Sequence, residues 1–113
     1  MRIGIVGGLD RNARDLEAVA AAGGHRLETH TGVIGGSASA ASLRALVGRA
    51  DLVFVLTDVN SHNAVHIARR AARQHHVPLR IVRRLGPTHL AAYLAEAAPA
   101  GGRAWTNVHY NAA

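Results

Sequence analysis

Residues 50–62 read Ala-Asp-Leu-Val-Phe-Val-Leu-Thr-Asp-Val-Asn-Ser-His, ADLVFVLTDVNSH, and this stretch decides the fold. Leu52 to Leu56 is apolar at every position. A strand with one wet face would alternate, so this run predicts a central parallel strand covered on both sides. Ser61 is placed to cap a helix running to about His75. Its inward stripe is Ala64, Val65, Ala68, Ala71 and Ala72, with His62, His66, Arg69 and Arg73 on the other side.

The same alternation extends in both directions. Ile3 to Val6 reads as a short buried strand ended by Gly7-Gly8. Asp10 can cap a helix to about Ala22, with Leu9, Ala13, Leu16 and Ala20 on one face and Gly23-Gly24 as its stop. Arg26 to His30 alternates as an edge strand does. After a turn rich in glycine (Gly32, Gly35, Gly36), Ser37 or Ser39 starts a second helix with the stripe Leu43, Leu46 and Val47. Leu79 to Val82 is a fourth strand, and Pro87 opens a fourth helix. Residues 1–98 thus form one domain, and 99–113 a tail carrying Trp105, His109 and Tyr110, able to pack on a partner subunit.

Four strand–helix repeats predict an α/β fold: a four-stranded parallel sheet, order 2-1-3-4, with helices on both faces and right-handed crossovers. Ligands of such sheets bind beyond the carboxyl ends of the strands. Those ends are Gly7-Gly8, His30-Thr31-Gly32, Thr57 to His62, and Arg83-Arg84. The candidate binding residues are therefore Gly7, Gly8, His30, Gly32, Asp58, Ser61, His62, Arg83 and Arg84.

Composition narrows the chemistry. The 113 residues include 8 His and no Cys, which removes disulfides, thiolate metal sites and thiol catalysis. The net charge is +6, and all 13 basic residues are Arg. GC-rich coding is the first explanation of that choice, ahead of a preference for bidentate anion recognition. Few aromatics are present to stack bases, and the arginines are spread, so a nucleic-acid partner is not expected. No apolar run is long enough for a membrane span and no signal-peptide pattern opens the chain, so a cytoplasmic protein is expected.

Several motifs fall short. GGLDRN lacks the G-x-G-x-x-G spacing, and no Lys exists for a P-loop or a receiver domain. HNAVH at 62–66 lacks the general base of H-E-x-x-H, and His66 reads as a surface residue. His25, His75, His76 and His89 read as solvated. Asp58 reads first as a bond acceptor in its own turn. No Ser–His–Asp or paired-carboxylate arrangement is indicated, so no catalytic residue is assigned.

The segments IVGG at 5–8, HTG at 30–32, ADLVFVLTDVNSH at 50–62 and IVRR at 81–84 resemble a bacterial family catalogued as a domain of unknown function. Its members are sometimes fused to hemerythrin-like domains. The likeness covers about residues 1–97. Val33 stands where the family has a second glycine after its His, which leaves the shape of that turn open. The resemblance implies a Rossmann-like half-fold that forms a homodimer. The hemerythrin association points to oxygen chemistry. Together with two histidines at the rim, it suggests haem b in a gas (oxygen) sensor or carrier, the partner being a small diatomic ligand. His62, ahead of His30, would be the metal ligand, with Arg83 or Arg84 on the propionates. His62 leads because a helix N-terminus favours the neutral imidazole that iron needs. His109 is a further candidate. The helix with Leu90, Tyr93 and Leu94 and the tail with Trp105 are candidate dimer contacts. The alternative is a binding module for an anionic small molecule, a phosphorylated metabolite or nucleotide, held by Gly7, Gly8, Ser61 and Arg84.

Overall fold

The computed structural model describes residues 1–7, 13–57 and 62–97. Gly8, Leu9, Asp10, Asp58, Ser61 and the tail with Trp105, His109 and Tyr110 lie outside the described residues. The element order is β1 (Arg2–Val6), α1 (Ala13–Ala22), β2 (Arg26–His30), α2 (Ser37–Arg49), β3 (Leu52–Leu56), α3 (His62–His75), β4 (Leu79–Val82) and α4 (Pro87–Ala97).

The strands form one parallel sheet of order β2-β1-β3-β4, as the alternating pattern predicts. Two cores lie on its two faces. Ile3, Ile5, Leu52, Phe54, Leu56 and Val82 meet Leu16 and Ala20 of α1 and Leu90 and Leu94 of α4. Val6, Val53, Val55, Leu79 and Ile81 meet Leu43, Leu46 and Val47 of α2 and the alanine stripe of α3. Each strand splits its residues between the faces with period two. All five residues of β3 are buried, which explains its unbroken apolar run.

Small residues set how closely the layers approach. A Cβ on Gly4 would lie 2.7 Å from Leu46 Cδ2, so α2 rests directly on the β1 backbone there. Helices α1 and α3 both end in Schellman turns. In the first, Gly24 holds the left-handed position (φ 80°), with His25 N–H donating to Ala20 O at 2.8 Å. In the second, His76 takes that position (φ 55°), with Val77 N–H donating to Ala72 O at 2.9 Å.

His25 is half-buried rather than solvated. Pairing of β1 with β2 brings its Nδ1 within 3.0 Å of the Met1 ammonium. Burial first, then that positive charge, lowers its pKa from the usual histidine value. Leu90 and Leu94, expected at a dimer contact, are instead buried in this chain's own core. Tyr93 packs partly buried against the same core, so any contact through α4 mainly uses its other side.

Two outcomes follow for stability. Gly4→Ala overpacks the Leu46 contact and costs about 1–3 kcal/mol in urea unfolding, because the obstructing atom belongs to a buried side chain. The unfolded chain protonates His25 at a higher pH than the folded chain does, so stability rises with pH through this window. Melting temperature should fall as pH drops below about 6.5, and His25→Gln should make that fall shallower.

Candidate functional site

Parallel pairing gathers the strand ends on one edge. Val6 lies beside His30 on one side and Val55 on the other, and Leu56 lies beside Val82. Along this edge the order is His30, Gly7, Thr57, Arg83. Gly7 N–H donates to His30 O at 2.8 Å, and Thr57 N–H to Val82 O at 2.9 Å. Gly7 has φ 95°, a left-handed turn that suits glycine where the chain leaves β1. With three strand spacings between them, His30 and Arg83 stand about 14 Å apart.

His30 is bound into its own loop. Gly32 N–H donates to its Nδ1 at 2.9 Å, and its Nε2 lies 3.3 Å from Ser39 O. These bonds place the ring proton on Nε2 and occupy both nitrogens. Thr31 Oγ1 accepts from Val33 N–H at 3.3 Å, and Ser39 Oγ accepts from Gly35 and Gly36 N–H at 2.8 and 3.1 Å. The glycine-rich turn therefore spends these N–H groups on side chains, and they do not form an anion cradle. Gly32 takes the left-handed conformation (φ 83°), whereas Val33 does not. The turn thus accommodates Val33 without backbone strain, its side chain 69% exposed.

Outside this loop, Arg49 closes on Glu28 at 2.6 Å and ties α2 to the edge strand. The side-chain hydrogen bond from Arg49 holds the Glu28 carboxyl below its usual range. An exposed pair of this kind contributes about 0–1 kcal/mol.

His62 has a different setting. It is exposed on the first turn of α3, and its Nε2 lies 3.1 Å from His66 Nε2. The two rings are perpendicular, with centroids 4.5 Å apart.

Arg83 and Arg84 leave β4 exposed and line a cleft of about 230 Å³ with Val82, His89 and Tyr93. Tyr93 packs on Phe54 at 5.3 Å, and the Arg80 guanidinium lies 4.5 Å from the centre of its ring. His89 and Tyr93 were missed by reading strand ends alone. They reach the cleft because α4 folds back along β4. The signal was their spacing of four within the helix, which puts both on one face. Among the described residues, no group of three or more His, Asp or Glu side chains is placed to hold a metal ion.

The fold and its edge define an α/β, Rossmann-like domain. Within that class, residues 2–97 match the family described as "Uncharacterized protein conserved in bacteria (DUF2325)", and the chain belongs to it. Comparison with the curated proteins and with the solved structures gives no match. Among the described residues, no helix is long and apolar enough to cross a membrane.

The His30 bonds give a direct expectation. His30→Ala removes the Nδ1 that accepts from the Gly32 N–H, in a residue that is buried. The variant should lose about 1–2 kcal/mol in chemical denaturation, with hydrogen exchange accelerated at Gly32.

Proposed function

We propose that this domain binds haem b along the carboxyl edge of its sheet, as a homodimer, and serves as a gas sensor or carrier without substrate turnover. The observation that carries this reading is the donor set at that edge. An exposed imidazole, His62, opens α3, and two exposed arginines, Arg83 and Arg84, leave the neighbouring strand beside a cleft walled by Val82 and Tyr93. Haem b asks for those three things: a nitrogen ligand for iron, cations for two propionates and apolar cover for the macrocycle.

The residues fit the group in kind. His62 is preferred to His30, because His30 already spends both ring nitrogens on backbone. The arginines offer planar, charge-assisted bonds to carboxylates. In extent, one chain supplies only part of the cover. The cleft is smaller than a macrocycle and open to solvent, so a second copy is needed to close over the rest. When bound, ferrous haem supplies the capacity to hold a diatomic gas. The protein supplies orientation, counter-charge and exclusion of water.

A second reading, a phosphorylated metabolite held by Arg83, Arg84 and His89, is favoured by the size of the cleft, which suits a small anion. Both readings use the same arginines. A spectroscopic titration separates them. Addition of haem should give a ligated Soret band that is retained in His30→Ala and lost in His62→Ala. Arg83→Ala or Arg84→Ala should weaken binding about tenfold to a hundredfold, the equivalent of about 1.5–3 kcal/mol for a charge-assisted bond. Absence of a Soret shift in the wild type removes the haem reading. Arginine-dependent binding of a phosphorylated ligand would then support the second.

A further inference from the structure

His62 and His66 are four residues apart on α3 and share one side of the helix. Both side chains are exposed. Their Nε2 atoms approach to 3.1 Å, with the ring planes perpendicular and the centroids 4.5 Å apart. The pair is held by a well-buried scaffold, since Ala64, Ala68, Ala71 and Ala72 anchor the opposite side of the same helix.

Two chemistries bring imidazole nitrogens this close. In one, a ring N–H donates to the other ring. In the other, a cation replaces that proton. Imidazole nitrogens bind zinc at about 2.0–2.1 Å. Two such bonds spanning 3.1 Å enclose an angle of about 100° at the metal, between octahedral and tetrahedral values. The bite of the pair therefore matches a chelated transition metal.

We infer that His62 and His66 form a two-histidine chelate for a divalent transition cation, with Nε2 of each ring as ligand. The chemical class follows from the donors. Neutral imidazole suits Cu²⁺, Zn²⁺ and Ni²⁺ and not Mg²⁺ or Ca²⁺, which require oxygen. Two protein ligands leave the remaining positions to water or to an anionic ligand, so the site is an open one. His62-Asn-Ala-Val-His66 has no acid between its histidines, which separates it from the metalloprotease helix and its general base. This inference does not require haem: it rests on the His62–His66 geometry alone, and a chelated cation and haem iron would compete for the His62 imidazole.

The test uses tag-free full-length protein purified without haem. CuCl₂, NiCl₂ and MgCl₂ are titrated by calorimetry, and the copper complex is examined by electron paramagnetic resonance. One equivalent of Cu²⁺ per chain should bind more tightly than Ni²⁺, and Mg²⁺ should not bind. The copper spectrum should carry hyperfine structure from two nitrogens. His62→Ala and His66→Gln should each weaken Cu²⁺ binding by about tenfold or more, since loss of even an outer-shell partner has that effect, while His89→Ala leaves it unchanged. Both sites are exposed, so the variants should keep the wild-type circular dichroism. Equal affinity in wild type and His66→Gln, or no Cu²⁺ binding, overturns the inference and leaves a hydrogen-bonded histidine pair. A Soret titration that fails while Cu²⁺ binding survives removes the haem reading and leaves the chelate standing.

Discussion

The parallel pairing of β1 with β3, buried on both faces, is the constraint from which the rest of the molecule follows. Parallel strands cannot be joined by tight turns, so every connection crosses a face as a helix. Apolar residues on both sides of β3 call for cover on both sides. Helices α1 and α4 supply one layer, and α2 and α3 the other. Gly4 tightens this arrangement by letting Leu46 sit against the β1 backbone. All four strands consequently end on one edge, and the helices start there. Their N-terminal dipoles favour anions. Arg83 and Arg84 reinforce that bias, whatever ligand the edge receives.

The histidines of the edge divide by what their nitrogens do. His30 is a structural residue of its loop: one nitrogen accepts from Gly32 and the other faces the Ser39 carbonyl. Among the described residues, His62 meets His66, Nε2 to Nε2, and no backbone group. His89 stands with the arginines in the cleft beside α4. An imidazole offered to a ligand is thus distinguished from one built into the fold by its hydrogen bonds, not by its place at a strand end.

That distinction explains what was legible in the sequence. The sheet and its order could be read because burial on both faces leaves an unbroken apolar run at Leu52–Leu56 and an alternating one at the edge strand Arg26–His30. The start of α2 was readable to within two residues, as Ser37 or Ser39: Ser37 opens the helix, and Ser39 closes the glycine turn before it. A turn-capping role for His30 was one reading of its place at a strand end, but its partner Ser39 was not readable, because the turn through the left-handed Gly32 brings it close. His89 and Tyr93 escaped for a related reason: their approach to Arg83 depends on how α4 lies along β4. His25 looked like a turn residue until β1–β2 pairing set it beside Met1. Leu90 and Leu94 read as contact candidates, because an apolar helix stripe does not say which surface it meets, and the direction α4 faces puts them in the core.

The claim that binding belongs to the carboxyl edge is tested most directly by mapping amide shifts in ¹⁵N-labelled protein. Gallium protoporphyrin, diamagnetic and carrying the same propionates, is the probe. Shifts concentrated at Gly7, Thr57, His62, Arg83, Arg84 and His89 are predicted, with Arg2, Arg26, Asp51 and Val77 at the opposite edge unmoved. Shifts concentrated at that opposite edge, or on the outer surfaces of α1 and α2, would contradict the account.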